Sequence, residues 1–210
     1  ALSAKTDHCI FGYDTNSDTI KNASADGSIS EYLEPENFSK ADLTIICLHP
    51  EVAVKVFSQN AGFFRKNSIV ADVCGVKSDI CAKMSSVAEK YGLRYVGTHP
   101  MAGREFGGYN YSVPELFENR SFIVTPLENT DSEALETVEK LASEVGFTRI
   151  VKSSPEAHDK TIAYTSQLAH IVSSAYVKSP TIENESGFTA GSFQDMTRIA
   201  TVNENMWTDL

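Results

Sequence analysis

The chain has 210 residues, enough for one large domain or for one domain with a smaller partner. Hydrophobic residues make up 41% and charged residues 22%, which supplies a packed core and excludes global disorder. The 28 acidic and 18 basic side chains leave a net charge of −10. That field has the wrong sign for nucleic-acid or anionic-membrane binding, but it leaves room for a small anion held by a few local cations.

No apolar run approaches the about 20 residues of a membrane span, and Ala1-Leu2-Ser3-Ala4-Lys5 has no signal-peptide pattern. Short, mostly β-branched runs at 9–13, 43–48, 68–73, 94–97, 121–124 and 148–151 predict strands covered on both faces. Helix-like stretches at 51–63, 77–91 and 131–145 lie between them, and Gly92 and Gly146 are placed to stop two of these helices. The alternation predicts right-handed βαβ units in an α/β fold with a doubly wound, Rossmann-type parallel sheet.

At Ser153-Ser154-Pro155 the pattern changes: Ser154 suits a helix cap and Pro155 a first turn. Residues 156–178 predict one long helix rich in Ala, Ser and Thr. A polar loop with Pro180 and Gly187 follows, then a second helix from about 192. The expected organisation is a nucleotide-fold domain over 1–152 and a smaller all-helical domain over 153–210. Cys9, Cys47, Cys74 and Cys81 lack C-x-x-C spacing, and three of them lie in or beside apolar runs. A reduced, cytoplasmic protein without a metal site is the expectation.

Several residues could carry chemistry. Asp14 ends the first apolar run, where a dinucleotide-binding unit places the acid that binds the adenosine ribose; its carboxylate would repel a 2′-phosphate and favour NAD. On one residue alone, a cap on the next helix is the plainer reading of Asp14. His99 follows a strand in Gly97-Thr98-His99-Pro100, at the strand end where such sheets bind ligands, and imidazole suits proton transfer near neutral pH. It could also be a turn histidine satisfied by backbone groups. His49, before Pro50, has the same placement and reads as exposed or cofactor-adjacent. Asp159, after His158, suits a helix N-terminus, while His170 lies inside the long helix on a small-residue face, as a core or interface residue would. Asp195 and Arg198 are three apart on a predicted helix and can pair, and a forked guanidinium suits a carboxylate.

Taken together, Asp72-Val73-Cys74-Gly75-Val76-Lys77, the run from Gly97 through His99-Pro100-Met101-Ala102-Gly103 to Glu105, His158-Asp159 with His170, and Gly191 through Arg198 to Trp207 resemble the prephenate and arogenate dehydrogenases over essentially the whole chain. The resemblance implies a nicotinamide domain followed by a helical substrate and dimerisation domain, and therefore NAD and a homodimer. The implied reaction is oxidative decarboxylation of prephenate to 4-hydroxyphenylpyruvate, or of arogenate to tyrosine. His99 matches the catalytic histidine. Asp14, His49, Pro50 and Gly75 match the cofactor side, and His170, Gly191, Arg198 and Trp207 the substrate side. Glu105 and Asp195 match acids that can hold Arg198. Many members carry Ser where this chain has Gly75, so water or another side chain is expected to orient His99.

The alternatives within reach are an arogenate dehydrogenase and a catalytically silent ligand-binding homologue. A generic hydroxyacid dehydrogenase fits less well, because it would carry a different helical-domain pattern. Only 13 residues precede Asp14 and no G-x-G-x-x-G run occurs. The expectation is therefore that a first strand and glycine loop precede the chain, and that the helical domain continues past Leu210.

Overall fold

The computed structural model describes residues 1–103, 107–184 and 186–200. Its contacts divide into two compact units, Ala1–Pro155 and a second beginning at Glu156.

The first unit opens with a helical turn, α1 (Leu2–Lys5), and strand β1 (Phe11–Gly12). Helix α2 (Ser17–Ala25) leads to β2 (Glu31–Tyr32), which pairs with β1 in parallel, Phe11 opposite Glu31. Asn16, not Asp14, caps α2: its side chain accepts from the Asp18 N–H. Asp14 instead accepts from the Asn16 N–H at 2.7 Å, one step before the cap. The capping alternative for Asp14 is thus corrected.

A five-stranded sheet follows. Its strands, β3 (Leu43–Ile46), β4 (Ile69–Asp72), β5 (Arg94–Pro100), β6 (Ser121–Thr125) and β7 (Arg149–Lys152), stand side by side in chain order. Helices α3 (Pro50–Asn60), α4 (Ser78–Tyr91) and α5 (Ser132–Glu144) form the crossovers β3–β4, β4–β5 and β6–β7, and those three pairs are parallel. The β5–β6 pair is antiparallel, with His99 opposite Ile123. This departs from an all-parallel sheet. A parallel return needs a long crossover, whereas the described part of the 101–120 connection holds only the short 3-10 turns Tyr109–Tyr111 and Pro114–Phe117.

Every residue of β4 is buried, as a strand covered on both faces requires. Alternate side chains enter separate cores. Val70 joins Phe57, Ile80, Met84 and Tyr95 on the α3–α4 side. Ile69 and Ala71 join Val96, Val124, Val138 and Phe147 on the α5 side. Helix α4 ends at Gly92, whose φ of +68° closes it in the left-handed conformation. Helix α5 begins at Asp131, which accepts from the Ala134 N–H at 2.8 Å.

In the second unit, the long helix expected over 156–178 comprises α6 (Pro155–Ile162), a π-helical turn at Ala163–Gln167, and α7 (Leu168–Val177). Helix α8 (Gly191–Arg198) packs on α7 through three contacts at three-residue steps. His170 Nδ1 lies 2.7 Å from the Ile199 carbonyl, Ser173 Oγ donates to the Met196 carbonyl, and Tyr176 meets Phe193 edge to face at 5.9 Å. A plain α-helix would rotate such a face by 300° over three residues, so the contacts follow one slowly drifting stripe.

Candidate active site

Parallel sheets present their chemistry at the carboxyl ends of the strands, and three such ends converge in the first unit. After β3, His49 is the N-cap of α3 and exposed, with Pro50 opening the helix. After β4, Asp72 is buried and the chain turns through Cys74 and Gly75 into α4. His99 lies near the end of β5, half-buried. A Cβ built on Gly75 would stand 3.7 Å from His99 Nε2 and 3.8 Å from Cε1. Gly75 therefore brings bare backbone to the imidazole edge, and a side chain at 75 would fill the space in front of Nε2.

Beneath His99 lies a buried polar cluster that sequence reasoning did not single out. Asp72 and Lys77 are an ion pair at 2.5 Å with both side chains fully enclosed. The Lys77 ammonium also donates to the Thr98 carbonyl at 2.6 Å, and Thr98 Oγ1 donates to the Asp72 carbonyl. Asp72 further accepts from the Cys74 N–H at 2.8 Å and the Tyr95 hydroxyl at 2.6 Å. Burial and the Asp72 carboxylate hold the Tyr95 phenol well above its ordinary pKa, so it stays a donor. Burial, reinforced by Asp72, pushes the Cys74 thiol up to about 12. The available signal was an aspartate ending an apolar strand with a lysine five residues on, at a helix start where Ser, Thr, Asp or Asn would cap.

Elsewhere in this unit, Tyr13, Asp14, Thr15, Ser17, Ile20, Lys21 and Tyr32 line an open groove of 460 Å³. The Tyr13 and Tyr32 rings stack across it with centroids 6.2 Å apart. A carboxylate with one free oxygen, beside aromatic faces, fits a ribose diol next to a planar base.

In the second unit, the Ile199 carbonyl can only accept, so His170 donates to it from Nδ1. His158 is buried, with Nδ1 at 2.8 Å from Asp159, so that aspartate serves a histidine as well as the helix end. Gly191 begins α8, and a Cβ built there would meet nothing within 4 Å. Arg198 and Asp195 are both exposed. No ion pair joins them, which corrects the expected pairing. Glu105 and Trp207 lie outside the described residues. No cluster of three or more His, Cys, Asp or Glu able to hold a metal occurs among the described residues.

The family model described as prephenate dehydrogenase, nucleotide-binding domain, matches residues 1–151, and that described as prephenate dehydrogenase, dimerization domain, matches 154–210. The chain belongs to the prephenate dehydrogenase family. Within that family it is similar to the Bacillus subtilis prephenate dehydrogenase, 37% identical over 68% of this chain and 39% of the relative. It is also similar to the cyclohexadienyl dehydrogenase of Zymomonas mobilis, 29% identical over 81% of this chain and 59% of the relative. Among solved structures it is similar to the A. aeolicus prephenate dehydrogenase in complex with hydroxyphenyl propionate and NAD+. That match has a TM-score of 0.83 at 29% identity and covers 95% of this chain and 71% of that one. The chain spans between 39% and 59% of the length of the curated relatives it matches. The dehydrogenase-family fold expected from the motifs, a nucleotide-type sheet followed by helices, is the fold observed.

Proposed function

We propose that this chain is the core of an NAD-dependent dehydrogenase that decarboxylates prephenate to 4-hydroxyphenylpyruvate. The observation that carries the reading is His99 at the carboxyl end of β5, with Nε2 looking onto the bare backbone of Gly75. An imidazole at the carboxyl end of a strand, beside a residue with no side chain, is placed to take a hydroxyl proton.

The residues present fit the adenosine end of the cofactor. Asp14 takes the ribose hydroxyls with its free oxygen, the Tyr13–Tyr32 side of the groove takes the base, and the carboxylate repels a 2′-phosphate. When bound, the nicotinamide supplies the acceptor for the hydride that leaves C4 of the substrate ring. His99 takes the proton of the C4 hydroxyl at Nε2 as that bond to hydrogen breaks. The bond between the ring and its carboxylate then breaks and releases carbon dioxide. The electron pair left behind completes the aromatic ring, and the oxygen regains a proton. Arg198 binds a substrate carboxylate, His170 gives the substrate a polar contact, and Gly191 keeps the start of α8 open to it. His49, Pro50 and Gly75 border the cofactor side. Glu105 and Trp207 keep the roles implied by the resemblance, as does Asp195 toward the substrate side, although it is not paired to Arg198 in this structure.

Two further readings belong here. The helical unit carries Tyr164, Leu168, Ile171, Val172 and Tyr176 exposed on the π-turn and α7. That apolar surface, with the match to a dimerization-domain model, supports a homodimer. All four cysteines are free, and no helix of the described residues is long and apolar enough to cross a membrane; both agree with a place in the reducing cytoplasm.

The test follows NADH formation with prephenate and with arogenate, which carries an amine where prephenate has a ketone. Turnover of prephenate with NAD supports the reading. A rate only with arogenate moves the assignment to that substrate. Tight binding of either compound with no NADH at any concentration would identify a ligand-binding homologue.

A further inference from the structure

We propose that Lys77 is a positioning residue for His99, acting through the Thr98 carbonyl and the Asp72 carboxylate. The inference rests on the reading of His99 as the proton acceptor.

Three observations point this way. First, Lys77 is an expensive choice where it stands. It is the N-cap of α4, yet its side chain makes no cap bond, and a cation at a helix N-terminus opposes the helix dipole. Its side chain is also fully enclosed against an enclosed Asp72, and a buried pair of this kind is weak evidence of stabilisation, because both ions lose their water. Helix formation and net stability therefore do not account for it.

Second, its bonds to the Asp72 carboxylate and the Thr98 carbonyl land at one place. Asp72 is opposite Gly97, so the β4–β5 ladder has reached its last rung just before His99. Beyond that rung the two strands are held by side chains: Lys77 Nζ bridges Asp72 Oδ1 and the Thr98 carbonyl, while Thr98 Oγ1 returns a bond to the Asp72 carbonyl. The peptide group that carries the His99 nitrogen is the one whose oxygen Lys77 grips. Its plane fixes the start of the His99 side chain.

Third, the same carboxylate fixes the opposite wall of the site. Asp72 Oδ1 accepts from the Cys74 N–H, which holds the turn that presents Gly75 to His99 Nε2. One ammonium–carboxylate pair thus sets both the imidazole and the backbone that faces it. A glycine at 75 has no hydroxyl to orient the ring. The buried pair supplies orientation from behind, where it does not occupy the space in front of Nε2. Misplacement of a reacting group by about 1 Å is enough to cost about 100-fold in rate.

The test compares the wild type with Lys77→Met, Thr98→Val and the doubly neutral Lys77→Met/Asp72→Asn, in the full polypeptide. Two readouts are taken: kcat and KM for substrate, and the imidazole ¹H–¹³C resonances of His99 without ligands. The His99 resonances are assigned by their loss in His99→Asn. The expected result is a fall in kcat of about 10- to 100-fold with KM within twofold of wild type. The His99 resonances move while those of His8 and His49, elsewhere in the same unit, stay in place.

Thr98→Val leaves the ion pair intact, and the double variant leaves no lone buried charge. At least one folded variant is therefore available if Lys77→Met alone does not fold. Folded variants with wild-type kcat and unmoved His99 resonances would overturn the proposal. So would a loss of melting temperature with neither readout changed, which marks a purely structural pair. If His99→Asn itself turns over normally, the proton-acceptor reading fails instead. The resonances then still decide whether Lys77 orients the ring.

Discussion

At the scale of single residues, chemistry and position combine differently for each candidate. His99 must be neutral to accept a proton. His99→Asn should lower kcat by about 100-fold or more while leaving KM nearly unchanged; normal turnover in that variant would remove the assigned role. Arg198 is exposed in this structure, which limits what a charge contact there contributes. Arg198→Ala should raise KM for the substrate by about tenfold, with kcat within a few-fold, and steady-state kinetics on both variants separates the two roles. The cysteines split in the same local way. Cys9 and Cys47 are exposed, whereas Cys74 and Cys81 are buried, and Cys74 is pushed up to about 12 by burial and Asp72. At pH 8 its thiolate is scarce as well as enclosed. Mass spectrometry after brief alkylation of the native protein should find Cys9 modified first, Cys47 more slowly because burial and Asp72 push its thiol up, and Cys74 and Cys81 modified only after unfolding.

At the scale of elements, strand and helix ends decide what the sheet can present. Gly97 on β5 is squeezed between Thr125 and Cys81: a Cβ there would stand 2.5 Å from Thr125 Oγ1 and 2.6 Å from Cys81 Sγ. Gly97→Ala should therefore destabilise by about 1–3 kcal/mol, visible as a lower urea midpoint with an unchanged slope. At the start of α5, the bond from the Ala134 N–H and then the Arg94 guanidinium hold the Asp131 carboxyl below its ordinary pKa. A carboxylate depressed in the folded state stabilises above its unfolded-state pKa, and that contribution is lost as pH falls through the folded-state value. Asp131→Ala should lower the melting temperature at pH 7, and the gap to wild type should close as the solution is acidified into that range. The antiparallel β5–β6 pair belongs to this scale too. The run at 121–124 marked a strand, but its direction followed from the connection, whose described residues hold no helical crossover.

At the scale of the whole molecule, two units divide the work. The first holds the sheet, the Asp14 groove and the His99 end. The second holds the α7–α8 ladder and an uncovered apolar surface. If that surface is the dimer contact, Ile171→Glu should shift the protein from dimer to monomer in sedimentation while the first unit keeps its fold. A wild-type sedimentation profile for that variant would place the contact elsewhere.

The sequence by itself determined six of the seven strands among the described residues, the helices α3, α4 and α5 between them and the place of His99 after a strand; it did not mark α2 or the two-residue β2. What it determined is local: apolar spacing and the glycine stops at 92 and 146 depend on neighbours a few residues away. It also carried the family, because the motifs around His99 and Arg198 are contiguous. Tertiary structure alone decided what those residues face. The enclosed Lys77–Asp72 pair, the closeness of Gly75 to the imidazole, where a Cβ would stand 3.7 Å from Nε2, and the His170–Ile199 bond all join residues by strand register and helix packing. A charged side chain looks solvated in any local window, and only packing from distant segments can remove its water and aim it at a neighbour.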